Sequence, residues 1–253
     1  MIVRPAIVML AGLCTLSGCV ATQAPGLTIE GDAIVLGSLT GIDVRNDRGS
    51  VHVVVDRTIP EAIVRTSFSG LGSADLQRAI DESTVSATSS SDNGRAVLRV
   101  DVSLPDWARD AASVRVEIVT PECEGIFVQN TGGSVLLTGI AGAIEVHNEG
   151  DADSRVLVRT NEDLTGRIVI RSTNGPVSVI AGAGSSGHVT LTTSDGRVAL
   201  DAPTSRLSGV RTTMSRWEGH LNGGSNEVTL HSDDGEVRFV ASEDPMHHRL
   251  LDW

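Results

Sequence analysis

The chain contains no tyrosine and only three phenylalanines and three tryptophans, and all 20 of its basic residues are arginine, because lysine is absent. So few flat rings argue against sites that stack sugars or bases. A formal charge of −12 leaves no basic stripe for a phosphate backbone, so nucleic acid is not an expected partner. Cysteine is scarce as well: Cys14, Cys19 and Cys123 cannot build a disulfide framework. Absent too are the strings H-E-x-x-H, C-x-x-C, G-K-[ST] and G-x-S-x-G, the local signatures of zinc hydrolases, P-loops and serine hydrolases. No apolar run reaches the length of about 20 residues that a comfortable membrane span requires.

What is present begins with a targeting pattern. Arg4 supplies a positive start, "PAIVMLAGLCTL" an apolar stretch, and "LSGC" (Leu16 to Cys19) small residues before a cysteine. This segment resembles the lipobox of bacterial lipoproteins. The resemblance implies residues 1–18 as signal peptide, Cys19 as the lipidated first residue of the mature chain, and the membrane as a partner through that lipid. Cys14 suits this role less, since bulky Leu13 precedes it. Val20 stands where many Gram-negative lipoproteins carry the aspartate of inner-membrane retention, which implies the outer membrane. Residues 19–26 then form a tether. Cys123 in "TPECEGI" has no catalytic neighbour in sequence and is expected to be a half-buried structural thiol.

From about residue 133 one phrase recurs: a turn residue, a variable residue, then apolar, any, apolar. Val135, Val156, Val177 and Val198 open four such phrases at intervals of 21 residues; Ile168 and Val189 share the spacing, and a further step lands on Val210. Within each phrase the strict alternation predicts a strand with one wet face, and Gly132-Gly133, Asn174-Gly175, Asp195-Gly196 and Asp234-Gly235 supply turns between strands. Antiparallel hairpins in a sandwich would fit the turns. A constant repeat length favours stacked coils, in which equivalent strands of successive repeats pair in parallel. The expected fold is therefore all-β: a β-solenoid of about 21 residues per coil over residues 121–240, preceded by a strand-rich region over 27–120 with one short helix. That helix is expected at 73–83 in "SADLQRAIDES", with Ser73 as its N-cap and Leu76, Ala79 and Ile80 on one face. Residues 241–253 form a tail expected to cover the last coil.

One string asks for a different chemistry. Gly182, Gly184 and Gly187 complete a G-x-G-x-x-G pattern, but a dinucleotide site needs a helix opening at the third glycine. "HVTLTT" follows instead, on the strand register, so neither a nucleotide nor a cofactor is expected. Adjacent His247 and His248 near Glu243 and Asp244 read as a solvated tail sooner than a metal site. Asp151, Asp153, Asp233 and Asp234 occupy turns where aspartate already has a local hydrogen-bonding role, and the calcium-roll repeat is missing.

The order of a "VRNDRGSVHVVV" opening, a short helix, "VRVEIVTP" and serial "NGPVSV"-type phrases resembles a bacterial family of candidate adhesins with β-solenoid domains, related to the auto-transporter adhesin head domain. The likeness covers about residues 40–240 and implies a cell-envelope protein with no catalytic residues. The outward positions of the coils give a candidate binding face: Leu136, Leu157, Ser178 and Ala199 along one row, Arg155, Pro176 and Arg197 along its neighbour. A face of this kind suits a protein or surface ligand. A structural envelope lipoprotein without an external ligand is the alternative. A polysaccharide-active β-helix enzyme would need carboxylates gathered at one level of a groove, and neither row gathers them.

Overall fold

The computed structural model describes residues 28–29, 41–92 and 95–248. The expected signal peptide, Cys14, lipidated Cys19 and the tether 19–26 lie outside these residues, and so does the tail beyond residue 248. The N-terminal part comprises β1 (Thr28–Ile29), β2 (Gly41–Asn46), β3 (Val51–Val55), β4 (Ile63–Ser69), helix α1 (Ser73–Glu82), β5 (Thr84–Asp92), β6 (Arg95–Ser103) and β7 (Ser113–Thr120). The repeat region follows with β8 (Gly125–Thr131), β9 (Val135–Thr138), β10 (Ala143–Glu149), β11 (Val156–Arg159), β12 (Ile168–Asn174), β13 (Val177–Gly182), β14 (Gly187–Asp195) and β15 (Val198–Asp201). Four more strands end the described chain: β16 (Leu207–Thr212), β17 (Arg216–Leu221), β18 (Glu227–Asp234) and β19 (Val237–Ser242).

These elements make a mostly β protein with one short α-helix and two largely parallel mixed sheets. The nine-stranded sheet has the order β1-β4-β7-β3-β9-β11-β13-β19-β15, and the ten-stranded sheet β16-β17-β14-β18-β12-β10-β8-β2-β6-β5. From β8 to β15 the chain changes sheet after every strand, so one strand of each sheet forms a layer. In space the layers run β6/β7, β2/β3, β8/β9, β10/β11, β12/β13, β18/β19, β14/β15. The order departs from the chain at both ends. The first layer, β2/β3, lies inside β6/β7, and the last, β18/β19, is inserted between β12/β13 and β14/β15.

The alternation of β-branched and polar residues dictates what fills the space between the sheets. In the nine-stranded sheet one continuous row consists of Val116, Val51, Val135, Val156, Val177, Val237 and Val198. Opposite it, the ten-stranded sheet sets Leu98, Ile42, Ile126, Ile144, Ile168, Val228 and Val189 in register. Most of these side chains are fully buried; Val198, at the end of the stack, is only half so. The expected 21-residue pairing therefore holds for Val135, Val156 and Val177. It fails one step later, because Val237 separates Val177 from Val198 and Val228 separates Ile168 from Val189. Val210 belongs to no layer: it sits on β16, exposed, in an antiparallel hairpin with β17.

A third inward row in the ten-stranded sheet is polar: Asn46, Asn130, Asn148, Ser172, Ser232 and Thr193. Here the chain leaves one sheet for the other and buries turn carbonyls that need donors. Asn130 Nδ2 donates to Gly133 O, Ser232 Oγ to Gly175 O and Thr193 Oγ1 to Gly235 O. The asparagines also chain together, Asn46 Nδ2 to Asn130 Oδ1 at 2.9 Å and Asn130 Nδ2 to Asn148 Oδ1 at 2.8 Å. Gly175 turns this corner at φ +79°, where a Cβ would lie 1.8 Å from Ser154 O, so glycine is required there and not merely favoured.

Antiparallel strands flank both ends of the stack: β4 and β5 at one, β16 and β17 at the other. Helix α1 packs Leu76 and Ala79 into the core. Its N-cap is extended Gly72, which makes no side-chain capping bond, and not Ser73 as expected. Trp107 Nε1 donates to Glu82 Oε2 at 2.7 Å and Arg78 lies 4.5 Å over the Trp107 ring, which ties the helix end to the loop between β6 and β7. Residues 243–248 reach the outer face of the nine-stranded sheet, where Arg159 Nη1 donates to Met246 O. Ile180 and Val240, which alternation turns outward, are buried, and so is Pro245.

Candidate functional site

The glycine string that suggested a phosphate loop lies in the connector from β13 to β14. Around it the connectors after β11, β13, β15, β17 and β19 converge on an open cleft of ≈ 710 Å³. Its walls include Asn161, Asp163, Gly184, Asn222, Glu243 and Asp244. The glycines are there because Asp163 lies over them: a Cβ on Gly182 would meet Asp163 Oδ1 at 2.3 Å, and one on Gly184 would meet Asp163 Oδ2 at 2.4 Å. Asp163 Oδ1 accepts the Gly184 N–H at 2.8 Å, so the amide that a phosphate would use is already taken by an anion. No helix starts at Gly187, which opens β14. The expectation of a structural glycine connector thus acquires its cause in a carboxylate.

Neighbouring groups are equally committed to holding the connectors together. Asn222, at φ +48°, donates from Nδ2 to Ala183 O and Ser185 O and accepts the Arg206 N–H at Oδ1. Ser185 Oγ donates to Gly182 O and accepts the Leu164 N–H. Asp244 takes a hydrogen bond from His247 Nδ1 at 2.9 Å, which holds its carboxyl below the usual carboxylate range. Asp163, Glu243 and Asp244 line the cleft without an arginine among its walls, so the site repels phosphate and other anions. Asp163 and Asn222 escaped notice in the sequence, although Asn222-Gly223 is a turn dipeptide of the kind found elsewhere in the chain.

The second candidate region is the outer face of the nine-stranded sheet. Register places Glu117, His52, Leu136, Leu157, Ser178, Arg238 and Ala199 side by side along one row. The expected row of Leu136, Leu157, Ser178 and Ala199 is therefore interrupted by Arg238 of the inserted layer. In the neighbouring row Glu236 separates Pro176 from Arg197, as the bonds Val177 N–H to Glu236 O and Val237 N–H to Arg197 O show, so Arg155 and Arg197 lie three strands apart. Arg238 Nε pairs with Glu236 Oε1 at 3.1 Å, which cancels the charge of the insertion. Arg115 and Arg155 flank His52; burial first, then these guanidinium charges, hold its imidazole below its ordinary value of 6.5. From Leu136 to Ala199 the row is half-buried, and Leu136 and Leu157 are its large apolar side chains.

The outer face of the ten-stranded sheet differs in kind. Arg167 bridges Glu145 at 2.8 Å and Glu227 at 3.0 Å across three strands, and Arg99 pairs with Asp43 at 2.8 Å. The hydrogen bond from His147, followed by that from Arg167, depresses the Glu145 pKa. Such exposed pairs contribute little to stability, and they leave this face polar and self-neutralised.

The remaining chemistry-bearing residues are dispersed. Cys123 is more buried than expected, at 3% exposure; its thiol donates to Gly125 O, and burial pushes its pKa up to about 11. It is an inert core thiol. Asp151 pairs with Arg48, Asp233 with His231 and His247 with Asp244. Among the described residues no group of three or more metal-ligating side chains comes together, and no helix is long and apolar enough to cross a membrane.

No family model matches the chain, and no curated protein matches it. Solved structures do. The chain is similar to a candidate cell adhesion protein from Clostridium sporogenes, with TM-score 0.54 and 9% identity over 83% of this chain and 98% of that one. Candidate adhesins from Bacteroides fragilis (TM-score 0.31, 9% identity, 84% and 96% covered) and Parabacteroides merdae (TM-score 0.21, 8% identity, 82% and 94% covered) are more distant. At such identities the first of these likenesses is one of fold.

Proposed function

We propose that the chain is a non-enzymatic, lipid-anchored protein of the bacterial cell envelope, and that its layers form a β-solenoid whose flat outer face binds a partner as an adhesin does. The repeated passage from one sheet to the other supports the solenoid reading, as does the parallel register of Val135, Val156 and Val177. The lipobox-like "LSGC" supports lipidation at Cys19, and Val20 supports the outer membrane. The observation that carries binding is the row from His52 through Leu136, Leu157, Ser178 and Arg238 to Ala199: half-buried side chains repeated at a strand spacing of about 4.8 Å. Arg155 and Arg197 lie beside it, three strands apart with Glu236 between them.

The test has two arms. Protease shaving of intact against permeabilised cells, followed by blotting, locates the solenoid; digestion in intact cells is the expected result for a surface adhesin. Replacing Leu136 and Leu157 with aspartate, with Arg155 and Arg197 changed to glutamate in a second variant, is expected to abolish attachment of the bearing cells to host or bacterial surfaces. Protection until permeabilisation, or attachment indifferent to both variants, would replace the adhesin with a periplasmic structural lipoprotein.

A further inference from the structure

The hairpin of β16 and β17 carries the most exposed strand among the described residues. All six residues of β16 are exposed. Leu207 and Val210 are 43% and 45% exposed, and Met214 in the following turn is 80% exposed, so half of the large exposed hydrophobic side chains among the described residues gather on one hairpin. A strand that buries nothing gains little from being a strand unless something else covers it. β16 is also the edge of its sheet, paired only with β17. Arg206 and Thr213 bond inward, to Asn222 and Arg216, so Leu207 and Thr212, between these bonds and the bulge, turn their N–H and C=O away from the sheet.

Charge on this edge opposes that of the whole molecule. Residues 202–217 carry Arg206, Arg211 and Arg216 and no acid, in a chain of net charge −12. Glu218 holds Arg216 at 2.8 Å, whereas Arg206 and Arg211 form no ion pair within 4.0 Å among the described residues.

We propose that β16 is a docking edge for an extended acidic segment of a partner protein. The segment adds a strand to the ten-stranded sheet, with carboxylates over Arg206 and Arg211 and apolar side chains against Leu207 and Val210. A second copy of this chain does not fit. The antiparallel register that sets Leu207 against Val210 of another β16 also sets Arg206 against Arg211, and a parallel pairing stacks like on like. Lipid does not fit either, because hydrocarbon offers no partner to outward backbone groups. This edge is separate from the outer face of the nine-stranded sheet, so the inference stands or falls independently of adhesion there.

The experiment uses the full chain and a fluorescein-labelled eight-residue peptide of alternating glutamate and valine; a lysine-valine peptide serves as control. Anisotropy is expected to show binding of the acidic peptide alone, weakened at least tenfold by Arg206→Glu with Arg211→Glu. Hydrogen exchange is expected to show new protection at residues 207–212. Both arginines are exposed, so the variant is expected to melt with the parent chain. Absence of binding, equal binding of both peptides, protection elsewhere, or arginine-dependent binding to phosphatidylglycerol vesicles in place of the peptide would each overturn the proposal.

Discussion

Asn130 sits at the middle of the buried polar row, 1% exposed, and its side chain makes three hydrogen bonds. Truncation to alanine leaves Asn148 Oδ1 without its donor and Gly133 O without its side-chain partner. Asn46 Nδ2 keeps only its bond to Val114 O. A buried polar group stranded in this way costs about 1–3 kcal/mol. With one group fully stranded and two partly so, Asn130→Ala is expected to destabilise by about 3–5 kcal/mol, a large share of the roughly 5–15 kcal/mol that holds a domain folded. Asn46→Ala, at the end of the row, strands one Asn130 oxygen and is expected to cost about 1–2 kcal/mol. Urea unfolding followed by circular dichroism measures both, and a double-mutant cycle between Asn130 and Asn148 is expected to return a coupling of about 1–2 kcal/mol. A loss below about 1 kcal/mol for Asn130→Ala, or no coupling to Asn148, would refute the view that this row holds the corner together.

Gly184→Ala drives a methyl group to 2.4 Å from Asp163 Oδ2 and is expected to cost about 1–3 kcal/mol; Asp163→Ala in the same chain is expected to recover most of that loss in a thermal melt. Cys123 is expected to resist a thiol reagent at pH 8 in the folded protein and to react at once in denaturant. Because its pKa is raised on folding from 9.0 to about 11, the unfolded chain ionises first, and stability is expected to fall as pH climbs through that interval. His52 carries the opposite sign: its pKa is lowered on folding, so the unfolded chain takes up the proton first and stability is expected to drop as pH falls below 6.5. His52→Gln is expected to remove that part of the acid sensitivity in a series of melts.

Strands and turns were legible because valine at every second position states which side is buried, and because Asn-Gly and Asp-Gly mark where a strand must end. The first three layers of the repeat were legible as well, since 21 residues separate Val135, Val156 and Val177 and nothing intervenes between their strands. Neighbourhood beyond them was not. Val198 and Val237 open the same phrase, and hydrophobic burial cannot tell one valine-led strand from another, so the 30 residues between Val198 and Val228 gave no sign that the chain turns back into the stack. The candidate face lost its continuity for the same reason, when Glu236 and Arg238 entered between residues that the spacing made adjacent. The Asp163 carboxylate that requires Gly182 and Gly184 lay about twenty residues away in sequence, out of reach of local pattern.

A second signal follows the order of layers. The corner residues after the apolar pairs are asparagine in β2, β8 and β10 (Asn46, Asn130, Asn148) and hydroxyl-bearing in β12, β18 and β14 (Ser172, Ser232, Thr193). The three asparagine layers are contiguous and bond side chain to side chain, while the hydroxyl layers are contiguous and bond to turn carbonyls. β18 fits beside β12 because Ser232 reaches Gly175 O, and beside β14 because Thr193 reaches Gly235 O. Apolar burial makes the layers, and the polar corner ties neighbouring ones together. Val177 meets Val237 and Val51 meets Val135 only across long stretches of chain, so these contacts carry a larger loop-closure cost than the steps of 21 residues between Val135, Val156 and Val177.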